Sequence, residues 1–244
     1  AEKLNPVVRE AFLTRFNKHI LEGYGATETT PVASVNLPDC LDTQYWDLQI
    51  GSKHGTVGMP LPGSNVRIVD PITLAELPTG SDGMILIGGP QVMQGYLNNP
   101  EKTAGVIKEI DGSRWYVTGD KGHLDEDGFL TIVDRYSRFA KIGGEMISLG
   151  AVELAVQQAL LEETEVIAVN IPDAKKGEQI VLLTTVALDI NELKKAMLAH
   201  GCNPLLLPTQ ILVLEQLPKL GSGKTDFGRA KQVTLQRVMQ DQAE

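Results

Sequence analysis

Between Leu21 and Thr30 the chain reads Leu-Glu-Gly-Tyr-Gly-Ala-Thr-Glu-Thr-Thr, which packs an aromatic ring, glycines, hydroxyls and a carboxylate into one short run. Glycine lets the backbone approach a ligand closely. Tyr24 can cover a flat ring, Thr27 can hydrogen-bond a phosphate, and Glu28 can hold a hard cation such as Mg²⁺. Those are the parts of a nucleotide site. Taken alone, an ordinary turn after a strand over His19–Leu21 accounts for the run equally well.

Further constellations follow in order. In Tyr116-Val117-Thr118-Gly119-Asp120 an apolar strand ends on a carboxylate. An ionised carboxylate only accepts hydrogen bonds, so Asp120 can take the paired hydroxyls of a ribose. Arg135, beyond a hairpin, can return beside it; the alternatives are a solvated strand end and a surface arginine. Gly143-Gly144 allows a close approach to a thin ligand, or forms a plain turn. Leu220-Gly221-Ser222-Gly223-Lys224-Thr225 superficially suggests a phosphate-binding P-loop. That motif needs a glycine where Pro218 stands, and proline has no N–H to offer a phosphate. What remains is Lys224 on a glycine-rich loop, either a solvated lysine or a mobile charge against a developing anion.

The elements that must position these residues are legible from periodicity and punctuation. Asn5–Phe16 predicts an amphipathic helix with Val8, Phe12 and Phe16 on one face. Residues 55–130 predict strands and turns: Val66–Val69, Gly83–Ile87 and Phe129–Val133, the last closed by the turn Asp125–Gly128. Asn99-Pro100-Glu101 marks a helix start. Beyond residue 134 the order is strand (Phe139–Ile142), helix (Ala151–Leu161), strand (Val166–Ile171), strand (Ile180–Leu188), helix (Asn191–His200), strand (Gln210–Leu214) and a final helix. Val152, Val156 and Leu160 fall on one helix face. The expected fold class is α+β, with a β-rich part over residues 1–134 and a small α+β module over residues 135–244.

The chain has 244 residues, 42% of them hydrophobic, with a net charge of −9 and a pI near 5.0. No basic run neutralises phosphates, which argues against nucleic-acid binding. Cys40 and Cys202 share no ligand spacing with the four histidines, so neither a disulfide nor a zinc site is expected. No stretch has the length of a membrane span.

Taken together, the runs Tyr24–Glu28, Gly95-Tyr96-Leu97, Thr118-Gly119-Asp120, Asp134-Arg135, Lys141–Glu145 and Ser222-Gly223-Lys224 resemble the C-terminal half of the adenylate-forming superfamily of acyl-CoA synthetases, adenylation domains and luciferases. Ile20–Gly25, Arg138–Ile142, Gly144–Leu149 and Leu220–Lys224 are similar to the acyl-acyl carrier protein synthetase part of bifunctional bacterial 2-acylglycerophosphoethanolamine acyltransferases. The resemblance implies a ligase that uses ATP to make a fatty acyl-AMP. It then passes the acyl group to the phosphopantetheine thiol of an acyl carrier protein, in the service of lysophospholipid reacylation; a CoA-dependent ligase and a non-catalytic binding module are the alternatives.

On this resemblance Tyr24 stacks on adenine, Thr27 touches the α-phosphate and Glu28 binds Mg²⁺. Asp120 and Arg135 hold the ribose, and Lys224 bridges the reacting carboxylate and phosphate. Gly143-Gly144 then serves the pantetheine arm after the small module swings. The residue two beyond the arginine, usually Asp or Lys at this hinge, is Ser137 here. The acidic surface mildly disfavours docking of an acidic carrier, which a local basic patch of Arg135, Arg138 and Lys141 can nonetheless receive. The family's upstream phosphate loop and acyl pocket have no counterpart in the sequence. A fragment with little adenylating activity of its own is therefore expected, from a cytoplasmic protein attached to the inner face of the bacterial inner membrane.

Overall fold

The computed structural model describes residues 4–160, 164–173 and 175–241, and it divides into two compact units, Ala1–Arg135 and Tyr136–Glu244. The first unit opens with helix α1 (Pro6–Phe16), started by the Asn5 side chain, which accepts from the Val7 amide, and stopped by Asn17 in the left-handed region. None of its residues is buried, and its apolar residues are spread around the helix, so the expected amphipathic face does not form: Val8 is 44% and Phe16 53% exposed. The strand expected over His19–Leu21 does not form. Pairing begins only at β1 (Gly23–Tyr24), which lies antiparallel to β2 (Ser34–Val35).

A short two-stranded hairpin follows, β3 (Cys40–Asp42) with β4 (Asp47–Gln49), and then β5 (Met59–Pro60), which pairs with β2. The main sheet is built from β6 (Asn65–Val69), β7 (Gly83–Gly88), β8 (Ile107–Ile110), β9 (Ser113–Leu124) and β10 (Leu130–Arg135), with helix α2 (Pro100–Val106) before β8. Its order is β10-β9-β7-β6, and β8 also pairs with β9. The Asn99 side chain caps α2 as its spacing predicts. Every residue of β7 is buried, which is why that strand reads as a continuous apolar run. Ile85, Ile87, Ile68, Leu130 and Ala33 form the core, and Tyr24 packs against it.

The second unit is a sheet of order β12-β11-β14-β13, with β15 parallel to β14. Its strands are β11 (Phe139–Ile142), β12 (Glu145–Ser148), β13 (Val166–Asp173), β14 (Gly177–Thr184) and β15 (Gln210–Val213). Its helices are α3 (Leu149–Ala159), α4 (Ile190–Ala199) and α5 (Phe227–Asp241). Alternate residues of β13 and β14 feed two cores. Ala168, Ile180 and Leu182 meet Val152, Val156, Leu193 and Met197 of α3 and α4. On the other face Ile167, Val169, Val181 and Leu183 meet Ala230, Phe227 and Leu235 of α5. The predicted β14 runs too far, because Thr184 turns the chain by accepting from the Val186 amide and Asp189 starts α4. Leu161, assigned to α3 by the sequence, lies outside the described residues. Mixed α+β architecture, strand-rich in the first unit, is the fold.

Candidate functional site

Asp120 lies inside a strand and not at its end, contrary to the sequence reading. The register of β9 against β7 jumps from Val117↔Leu86 to Lys121↔Met84, so a bulge carries Thr118, Gly119 and Asp120 opposite Ile85. Gly119 makes the bulge possible with φ at 77°. The Thr118 hydroxyl pins it by donating to the Ile85 carbonyl (2.8 Å) while accepting from the Asp120 amide (3.0 Å).

The hairpin between β9 and β10 places Arg135 directly across from Asp120, with Arg135 Nε 3.1 Å from Asp120 Oδ1. The Tyr24 hydroxyl donates to Asp120 Oδ2. Residues far apart in the chain thus converge on one carboxylate, which is 7% exposed, while the arginine side chain remains 67% exposed. Burial pushes the Asp120 carboxyl above the usual carboxylate range, and the Tyr24 hydroxyl and Arg135 pull it only part of the way back. Burial, reinforced by the Asp120 charge, keeps the Tyr24 phenol protonated and donating. A carboxylate offers about four lone-pair sites. Tyr24 and Arg135 therefore leave room for further donors.

Tyr24 leads into a 3₁₀ turn, Thr27–Thr29, stabilised by Thr29, whose hydroxyl accepts from the Ala26 amide at 2.9 Å. Gly25 is required here. A Cβ at that position would sit 1.8 Å from the Pro31 carbonyl oxygen. The turn leaves Thr27 exposed and Glu28 half-buried. Sequence reasoning gave Tyr96 no role beyond its motif, yet its hydroxyl donates to Glu28 Oε1 at 2.7 Å, and that bond raises its pKa to about 12. Tyr116 is also raised to about 12, by burial and by the nearby Glu28 charge. Gly95-Tyr96-Leu97 was the available signal; the partnership with Glu28 spans 68 residues and has no local signature.

The remaining predicted residues lie in the second unit. Gly143 (φ 59°) and Gly144 (φ 97°) form the tight turn between β11 and β12, open to solvent. Lys224 is exposed on a hairpin closed by the Lys219↔Thr225 bridge and by the Leu220 amide donating to the Lys224 carbonyl at 2.7 Å. Arg138 does not belong to the expected basic docking patch. It pairs with Glu153 at 2.6 Å and lies over the Phe227 ring at 3.9 Å, fixing α3 and α5. Ser137 is exposed in a 3₁₀ turn, Tyr136–Arg138.

The first unit thus carries a bulged carboxylate clasped by a tyrosine and an arginine, beside a glycine-hinged turn bearing a hydroxyl and a carboxylate. Residues 1–97 match the model of the AMP-binding enzyme family. The chain is 33% identical over 240 residues to a long-chain-fatty-acid–CoA ligase of Salmonella typhimurium, covering 97% of this chain and 38% of that protein. ATP-bound MatB of Rhodopseudomonas palustris superimposes with a TM-score of 0.77 at 26% identity, over 93% of this chain and 43% of that one. O-succinylbenzoate coenzyme A synthetase of Bacillus subtilis, solved with AMP, shares the fold with a TM-score of 0.74 at 24% identity, over 95% of this chain and 44% of that one. Over nearly its whole length the chain is similar to AMP-binding, acyl-CoA ligase-like proteins of the adenylate-forming superfamily. It spans 38% of the length of the first of these relatives.

Proposed function

We propose that the chain supplies the adenosine clasp and the catalytic lysine of an AMP-forming fatty acid ligase. The observation that carries this reading is the convergence of Tyr24 and Arg135 on buried Asp120. In this reading Asp120 accepts from the ribose hydroxyls, Arg135 adds a cationic donor at the sugar, and the Tyr24 ring covers adenine. Thr27 hydrogen-bonds the α-phosphate. A carboxylate that binds Mg²⁺ together with substrate phosphates needs only one or two protein ligands. Glu28, with Oε2 free of any protein partner among the described residues, fits that need. A cation held there by Glu28 would screen the phosphate charge.

A fatty carboxylate is unreactive toward thiols. Its oxygen attacks the α-phosphorus of ATP, an O–P bond forms, and pyrophosphate leaves with the electrons of the broken P–O bond. Lys224, exposed on its hairpin, neutralises charge shared by the carboxylate and phosphate oxygens in that transition state; removing such a donor costs on the order of 3 kcal/mol. The thiolate of a phosphopantetheine arm then attacks the acyl carbon and AMP departs, with the Gly143-Gly144 turn receiving the arm.

The thiol donor has two readings. Resemblance to acyl-carrier protein synthetases, and to their role in lysophosphatidylethanolamine reacylation, supports an acyl carrier protein. The names of the relatives support CoA. No helix among the described residues is long and apolar enough to cross a membrane; attachment to a membrane through another part of a longer protein belongs to the first reading. The test is calorimetric binding of AMP and ATP to this chain, wild type and Asp120→Ala. Measurable binding weakened at least about tenfold by the substitution is expected, since each hydrogen bond to a charged group contributes about 1.5–3 kcal/mol. A folded chain that binds neither nucleotide overturns the reading.

A further inference from the structure

Glu28 differs from the other acidic side chains that shape turns in this protein. Asp39, Asp70, Asp173 and Asp189 each accept from two backbone amides, the pattern of a carboxylate used to hold its own loop. Among the described residues Glu28 accepts from none, and its single partner is the Tyr96 hydroxyl at 2.7 Å, bonded to Oε1, which leaves Oε2 without one. That leaves a half-buried carboxylate with one oxygen fixed and the other open to a ligand.

The segment that brings Tyr96 there is heavily braced. The Met93 amide donates to the Glu28 carbonyl at 2.8 Å, and the Thr30 hydroxyl donates to the Gln91 carbonyl. Arg114 donates to the carbonyls of Met93 and Gln94, each at 3.0 Å. Thr103 accepts from the Tyr96 amide at 2.9 Å, and Gly95 permits this approach, since a Cβ there would lie 2.7 Å from Thr103 Cγ2. The Lys102 ammonium sits 4.2 Å from the Tyr96 ring centroid. The ring is therefore fixed from its backbone and over its face, and its hydroxyl reaches Glu28 from a preset position.

We infer that Tyr96 is a positioning residue that holds Glu28 by Oε1 so that Oε2 is presented to a divalent cation accompanying the nucleotide phosphates. This rests on the nucleotide reading above and extends it to the residue that orients the metal carboxylate. Outer-sphere partners of metal ligands typically govern affinity by 10–100-fold.

The test compares wild type with Tyr96→Phe, which removes only the hydroxyl, and with Glu28→Gln and the double variant. ATP affinity is measured by calorimetry in EDTA and in saturating Mg²⁺, and Mn²⁺ is titrated against the ATP-bound chain by its paramagnetic relaxation of water. In Tyr96→Phe the gain in ATP affinity conferred by Mg²⁺ is expected to fall about tenfold, with apparent Mn²⁺ affinity falling in parallel. The EDTA affinity should move less than about twofold, and the double variant should lose no more than Glu28→Gln alone, because one residue acts through the other. An unchanged Mg²⁺ response in Tyr96→Phe overturns the inference, as does an equal loss with and without metal, which marks a purely structural contact. Failure of the folded wild type to bind ATP under both conditions overturns the nucleotide reading and this inference with it.

Discussion

Gly25→Ala offers a sharp test of whether the turn carrying Thr27 and Glu28 is built as described. An alanine Cβ would fall 1.8 Å from the Pro31 carbonyl oxygen and 2.8 Å from its carbonyl carbon. Ordinary carbon–oxygen contacts begin near 3.3 Å, so the Pro31 peptide must retreat by roughly 1.5 Å. That peptide is not free to do so. Its oxygen accepts from Thr29 Oγ1 at 3.2 Å, and two residues on the Ala33 amide donates to the Tyr24 carbonyl at 2.8 Å. Overpacking costs about 1–3 kcal/mol and each loosened hydrogen bond about 1 kcal/mol, so a loss of about 3 kcal/mol is expected. Gly105→Ala is the control. Gly105 lies in α2 with nothing within 4 Å of the added Cβ, so alanine should stabilise by about 0.5–1 kcal/mol. Both tryptophans, Trp46 and Trp115, lie in the first unit. Fluorescence-detected urea unfolding therefore reports on that unit selectively. If the two substitutions shift the midpoint equally, or in the same direction, the packing argument at Gly25 is wrong.

Lys224→Ala is expected to lower ATP–pyrophosphate exchange about a hundredfold or more, in any longer protein containing this chain that supports the exchange; the AMP dissociation constant should move far less, and equal loss of both would place the lysine in ground-state binding. The buried Asp120 carboxyl has a folded-state pKa above its unfolded value, so it contributes stability that is complete below the ordinary aspartate range and is lost as pH rises through the raised value. AMP affinity should run the opposite way, because ribose hydroxyls donate to the ionised form: it should fall on acidification through that same interval, and Asp120→Asn should flatten the profile. In the second unit Asn170 donates to Glu178 at 2.7 Å and to the Phe139 carbonyl at 3.3 Å, and accepts from Lys231 at 2.9 Å. Asn170→Ala strands those partners and should cost about 2 kcal/mol, read as faster hydrogen exchange in β13 and β14; exchange at the wild-type rate would refute it.

What sequence reading could see depended on how local the cause was. Helix α2 was announced by Asn99 and Pro100, and β7 by an unbroken apolar run, because capping and burial write themselves into neighbouring residues. The 3₁₀ turn at Thr27–Thr29 and the hairpin under Lys224 were marked by their glycines. Three failures share the opposite property. The extended segment His19–Leu21 has strand-like composition but no partner along it, so β1 begins only where β2 pairs. The end of β14 was set by Thr184 turning on its own hydroxyl, which an apolar run to Leu188 conceals. Arg138 looked like a surface cation because it lies between Arg135 and Lys141 in the sequence, yet Glu153 and Phe227, distant in sequence, claim it. The Tyr96–Glu28 bond belongs to the same class: two residue types noticed separately, joined only by tertiary structure.

The clasp at Asp120 is better explained by binding than by stability. A carboxylate brought to 7% exposure loses hydration that its partners must replace. Arg135, two-thirds exposed, can return little, since exposed ion pairs contribute marginally. The raised carboxyl pKa records that the balance is unfavourable to the charge. An apolar residue at this bulge would relieve the desolvation and would need neither Gly119 at positive φ nor a tyrosine hydroxyl directed inward. A fold that retains all three keeps a partly satisfied acceptor at a fixed position, as a site for donors from outside the chain requires. The same logic applies at Glu28, where one oxygen is fixed by Tyr96 and the other has no donor among the described residues. Two under-satisfied carboxylates on one unit, flanking a glycine-hinged turn, fit a ligand that offers hydroxyls at one end and metal-bound phosphates at the other. A nucleotide has that polarity; a simple sugar or a free metal ion satisfies only one of the two carboxylates.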